Sequence, residues 1–223
     1  MLPKKLDQFL DSAQVWISYG LRFSLLISIV INALSSHWML AFLSAVTLIL
    51  TFLPAIIEKN SRLVLPIELE SSIVFFIYGT IFLGEVSGYY NKFWWWDVAL
   101  HFLSSLILGF VGFLIAYVLY TKKLVQAKPF LVVLFAFCFA VSLGAVWEIY
   151  EYSMDIFLKL NMQKSGLVDT MEDLITDCSG ALIVSTLGYY YLKFHQGWMF
   201  KDWVLNFAKA NPKLFRRRKR VSA

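Results

Sequence analysis

The chain has 223 residues, of which 59% are hydrophobic and 17% aromatic, with a mean hydropathy of +0.67 and a formal net charge of +5. A soluble domain of this size exposes far more polar surface, so a water-soluble globule is excluded. Several apolar runs approach or exceed the ~18–20 residues that cross a bilayer as helix, and they lack the in-out alternation of barrel strands. Backbone in lipid must satisfy its own hydrogen bonds, so the expected fold class is all-α, a polytopic transmembrane helical bundle.

Six spans are expected, at about 15–34, 38–57, 68–88, 97–120, 129–152 and 170–192. Residues 1–192 then form the membrane domain and 193–223 an appendage. The first span has a superficial likeness to a signal peptide, because Lys4 and Lys5 precede it and Ala33, Leu34 and Ser35 loosely match a cleavage site. Asp7, Asp11 and Arg22 interrupt that pattern, and retention is the expectation. Pro54, Pro66 and Pro129 fall near span ends, where a missing N–H does least harm. Cys138 and Cys178 lie inside apolar runs and read as packing residues rather than a disulfide.

Lysine and arginine placement sets orientation. Seventeen of the 20 basic residues, Arg22 among them, fall on one side of the six-span layout. Only Lys92, Lys159 and Lys164 fall on the other, so both termini are expected in the cytoplasm. After the sixth span, Phe200, Trp203, Val204 and Phe207 repeat at helical spacing and FRRRKR follows at 215–220. That pattern predicts an interfacial amphipathic helix with a polybasic tail on anionic lipid, or a plain topogenic tail; no nucleic-acid partner is expected.

The acids are placed oppositely. Glu85 ends the third span, Asp97 opens the fourth with His101 one turn on, and Glu148 and Glu151 close the fifth. Asp155 lies just beyond, and Asp169, Glu172, Asp173 and Asp177 occupy the start of the sixth. All fall on the outer side of this layout. Asp97 and His101 are four residues apart, Glu148 and Glu151 three, and Asp169, Asp173 and Asp177 repeat every four, so each set shares one helical face. Gly144, Gly180 and Ala181 continue two of those faces and allow close helix approach. Asp97 and Asp169 also read as N-caps, the latter in a capping-box-like D-x-x-E with Glu172. Glu85, Glu148 and Glu151 have no such reading, because helix C-terminal ends disfavour carboxylates.

Three compensators stay open: a bound divalent ion, shared protons, or structural polar pairing. Oxygen ligands with at most one imidazole suit Mg²⁺, Ca²⁺, Mn²⁺, Fe²⁺ or Zn²⁺. The candidate metal ligands are Glu85, Asp97, His101, Glu148, Glu151, Asp169, Asp173 and Asp177, with Glu151 or His101 placed to move protons. The run W94–W96 marks the membrane interface beside them.

The GEV run at 84–86, the D-x-x-x-H-F from Asp97 to Phe102, the W-E-x-x-E from Trp147 to Glu151 and the D-T-x-x-D from Asp169 to Asp173 resemble the YjdF-like bacterial inner-membrane proteins. The likeness covers roughly residues 70–190, and Asp177 departs from the expected pattern, which has an apolar residue there. It implies a multi-pass protein of the bacterial inner membrane and supports grouping Glu85, Asp97, His101, Glu148, Glu151, Asp169 and Asp173, but it supplies no reaction. Three functions follow: a metal-dependent enzyme acting on a lipid-linked or envelope substrate, a transporter of a cation, proton or small solute, or a non-catalytic membrane component. The inner halves of the spans offer mainly hydroxyls, a thin path for transport.

Overall fold

The computed structural model of the chain describes residues 4–61, 63–194 and 198–215, with side chains placed from residue 13 onward except that of residue 198. Arg62 and the basic run at 216–220 therefore lie outside the described residues. The described residues form helices joined by turns and loops, without strands, and fall into two compact units, Met1–Trp96 and Asp97–Ala223. Among the described residues, five helices are long and apolar enough to cross a membrane: Ala13–Leu34, Trp38–Ser61, Ile67–Val86, Trp96–Thr121 and Pro129–Leu158. The sixth expected span lies within a 28-residue helix that is long enough, but its acids, hydroxyls and tyrosines dilute its apolar content.

In the first unit, α1 (Lys4–Leu34) packs against α2 (Trp38–Leu50). The expected 38–57 span is broken: α2 ends before Thr51 and α3 (Leu53–Ser61) resumes after a turn. Pro54 explains the break, since its ring lacks the N–H that would bond the Leu50 carbonyl. Arg22 of α1 attends to the exposed backbone. Its Nη2 donates to the Thr51 carbonyl at 2.9 Å, its Nε donates to Thr51 Oγ1 at 3.2 Å, and the guanidinium lies 4.4 Å from the Phe52 ring centre. Arg22 is thus no terminal topogenic charge; it lies well inside α1 and secures a helix break. Ser44, Thr47 and Thr51 are fully buried, and each hydroxyl donates to a carbonyl three or four residues back.

The expected third span begins as α4 (Ile67–Ile77), with Glu68 and Glu70 in its first turn, where the dipole favours them. It then loosens into a π-helical segment, Tyr78–Val86, which is an unusually long run of that geometry. A short helix, α5 (Tyr89–Lys92), follows, and Tyr90 packs on Gly84 so closely that a Cβ there would collide with the ring.

The second unit is built on α6 (Trp96–Thr121), α7 (Pro129–Leu158) and α8 (Leu167–Phe194), with α9 (Trp198–Ala210) and α10 (Pro212–Phe215) laid against them. Proline at the first position starts α7, and Lys159 in the left-handed conformation ends it six residues beyond the expected boundary. Small residues set the crossings. A Cβ on Gly180 would strike Ser105 of α6, and one on Gly144 of α7 would strike the Asp177 carboxylate of α8. Gly188 leaves room for Phe113 in the same way.

The amphipathic pattern at 200–207 forms α9 as expected, but its apolar face meets protein. Phe200 packs edge-on against Phe110, Phe113 and Tyr191, Trp203 against Phe110, and Val204 is fully buried. The stripe that suggested insertion among lipid headgroups is covered by the unit's own bundle.

Candidate functional site

The second unit gathers seven of the eight sequence-expected ligands at the Asp97 end of α6. Three helices supply them: Asp97 and His101 from α6, Glu148 and Glu151 from α7, and Asp169, Asp173 and Asp177 from α8. Their spacings place each set along one helical face, and the glycine-mediated crossings bring those faces together. Glu85 is different: it lies on the π-helical segment of the first unit, with an exposed side chain.

His101 is the centre of the arrangement. Its Nε2 lies 3.8 Å from Glu148 Oε1 and 3.8 Å from Asp173 Oδ2, while Nδ1 lies 3.4 Å from Asp177 Oδ2. All four residues are buried: His101 is 7% exposed, Glu148 4%, Asp173 2% and Asp177 1%. One ligand atom each of His101, Glu148 and Asp173 lies within 4.8 Å of the others, and so does one each of Asp97, Asp169 and Asp173. Asp177 stands apart from both trios and faces the opposite ring nitrogen of His101. A carboxylate on Nδ1 fixes an imidazole's orientation and leaves Nε2 free to bind an ion.

Several oxygens in this pocket lack hydrogen bonds. Both oxygens of Glu148, Oδ2 of Asp169 and Oδ1 of Asp177 are buried without one among the described residues. The Thr170 hydroxyl approaches Glu148 without closing a well-formed bond, and it accepts from Gln163 Nε2 at 2.6 Å. Leaving one buried polar atom unsatisfied costs about 1–3 kcal/mol, and more for a charged group, so structural pairing alone does not explain the cluster.

Glu151 is buried and accepts from Trp147 Nε1 at 3.0 Å, one turn back on α7. Because α7 runs on to Leu158, Glu148 and Glu151 lie inside the helix rather than in its last turn, and the expected conflict with the helix dipole is weaker. Nor are Asp97 and Asp169 N-caps. The helices begin at Trp96 and Leu167, which places both aspartates within the first turn with side chains free to face the site.

Two contributors escaped the sequence reading. Lys164 Nζ donates to Asp97 Oδ2 at 2.7 Å, and its main-chain N–H donates to the Met162 carbonyl at 3.1 Å. The loop that presents it is shaped by Asp155, which accepts from the Met162 and Gln163 N–H groups at 2.7 and 2.9 Å. The sequence signal for this was a lone lysine in a short loop, which carries no information about its partner.

The inner part of the unit closes with aromatic rings. Phe110, Phe113, Tyr191 and Phe200 stack edge-on, and the Tyr117 and Tyr191 hydroxyls meet at 3.2 Å. From His101 to the ends of these helices, α6 carries no further charged residue, and α7 none before Glu148.

Comparison with known proteins agrees with a multi-pass membrane protein. The family model described as "Predicted membrane protein (DUF2238)" matches residues 14–194, so the chain belongs to that family, with which the YjdF-like motifs are consistent. A Thermotoga maritima relative described as an uncharacterized protein is 30% identical over 140 residues, which cover 62% of this chain and 70% of that one. No solved structure matches the chain.

Proposed function

We propose that this member of the DUF2238 family binds a divalent cation in the His101–Glu148–Asp173 trio and uses it in a reaction on a lipid-linked or envelope substrate. The single observation that carries the reading is Glu148: a carboxylate 4% exposed, both oxygens without hydrogen bonds, beside an imidazole whose far nitrogen is already engaged. A hard or borderline ion, Mg²⁺, Ca²⁺, Mn²⁺, Fe²⁺ or Zn²⁺, suits these donors. When bound, such an ion polarises a substrate oxygen or acidifies a water. Asp177 holds the His101 ring in place, and Glu151, held by Trp147 outside both trios, is positioned to take or return a proton.

The basic-residue distribution supports six spans with both termini in the cytoplasm, α8 being the sixth, in a bacterial inner membrane. That orientation puts the pocket toward the extracytoplasmic side, and the exposed rings of Trp94 and Trp95 in the first unit suit a headgroup region. The run at 216–220 would then meet anionic lipid on the cytoplasmic side. Transport fits less well, because the aromatic cluster below the acids offers an ion little beyond the Tyr117 and Tyr191 hydroxyls.

Elemental analysis of gently purified full-length protein tests the reading. A divalent metal is expected in wild type and lost in Glu148→Ala and His101→Ala. Wild-type protein with no metal above background refutes it.

A further inference from the structure

Asp173 belongs to both trios: its ligand oxygen lies within 4.8 Å of those of His101 and Glu148, and likewise of those of Asp97 and Asp169. Resting on the metal-site reading above, we propose that the pocket holds two divalent cations bridged by the Asp173 carboxylate, with Lys164 standing in for the outer ion when that position is empty.

Three observations converge on this. The first is the bridge. Asp173 is 2% exposed and faces His101 at 3.8 Å. A carboxylate has two oxygens and about four lone-pair directions, enough to serve an ion on each side. At its outer neighbour, Asp169 Oδ2 is buried without a hydrogen bond.

The second is charge. The two trios together contain one imidazole and the carboxylates of Asp97, Glu148, Asp169 and Asp173. Two divalent ions neutralise those four carboxylates when ionised, whereas a single ion together with the Lys164 ammonium leaves one negative charge in a poorly solvated site. Uncompensated charge in such surroundings costs several kcal/mol per ion, so the site's composition favours double loading.

The third is that a cation already occupies the outer end. The Lys164 ammonium lies 2.7 Å from Asp97 Oδ2, and its nitrogen is the only charged donor paired with an acid of the pocket, His101 apart, among the described residues. It reaches there from a loop rather than from a bundle helix. A bridged pair about 3.5–4 Å apart is the arrangement that clamps both oxygens of a transferring group, which narrows the reaction to hydrolysis or transfer at a phosphoryl or acyl centre.

Titration of the full-length protein in lipid nanodiscs with Mn²⁺, followed by equilibrium counting and electron paramagnetic resonance, decides the matter. Wild type is expected to bind two Mn²⁺ per chain and to give an exchange-coupled spectrum. Asp169→Asn should keep one ion with the uncoupled pattern of an isolated Mn²⁺, and Asp173→Asn should lose the coupling. Lys164→Met should tighten the second binding step several-fold and leave the first unchanged. Should Asp169→Asn fail to fold, Asp97→Asn and the wild-type spectrum carry the test. One uncoupled ion in wild type overturns the bridged pair while leaving the single-ion site standing; no ion overturns both. An unchanged second step in Lys164→Met overturns the stand-in role.

Discussion

Both units place polar side chains among apolar helices, and they treat them differently. In the first, Arg22 is matched to Thr51, Ser24 to the Tyr78 hydroxyl at 2.9 Å, and Ser28 to Ser44 at 3.0 Å, with Asn32 donating to Ser28. In the second, Glu148, Asp169 and Asp177 keep buried oxygens open. Hydroxyls returning bonds to their own helix are compatible with lipid and need no further purpose. Open carboxylates are not, and a fold that gathers them from two helices, α7 and α8, retains a destabilising feature that only a ligand or proton relieves.

That contrast can be broken by substitution. The largest effect is expected at Glu148→Gln, which should weaken metal binding by more than ~100-fold while raising the thermal stability of metal-free protein, since it removes an uncompensated buried charge. Calorimetry with and without added Mn²⁺ reads both, and a metal-free protein destabilised by this change would contradict the open-carboxylate account. Next comes Asp177→Asn, which should cost ~10–100-fold in metal affinity by loosening the His101 ring, the usual consequence of losing a carboxylate behind a ligand. Isothermal titration should find the stoichiometry unchanged. In the first unit, Arg22→Met should lower stability by about 1–3 kcal/mol, because it strips the Thr51 carbonyl of its donor, and should leave metal affinity alone. The smallest effect belongs to Lys164→Ala, whose half-exposed ion pair contributes about 0–1 kcal/mol to folding after solvent screening. Chemical denaturation of that variant should be nearly superimposable on wild type.

Much of this was legible in the residues, for physical reasons. Apolar runs locate helices because lipid leaves the backbone no alternative, and i, i+4 spacing locates faces because a helix has a fixed period. Hence the Asp97–His101, Glu148–Glu151 and Asp169–Asp173–Asp177 sets were readable as faces before their meeting was seen. Asp177 fits for a reason only the crossing reveals: Gly144 has no Cβ to displace it. Other features depend on partners distant in sequence. Nothing local marks Tyr78–Val86 as π-helical, and nothing in a five-residue window tells that Lys164 reaches Asp97, 67 residues away. Pro54, expected to be harmless near the end of the second span, instead interrupts it, and the arginine that secures the break comes from another helix. The α9 stripe was periodic in sequence, and periodicity alone does not distinguish a lipid-facing surface from one that docks on Phe110 and Phe113.

The seating of α9 bears on how the protein is handled at the bench. A topology reporter fused directly after Lys193 would remove the cover from Phe110, Phe113 and Tyr191 and report on a damaged bundle. Fused beyond Phe215, the same reporter would leave those rings clad and read the side of the bilayer on which the intact polypeptide finishes.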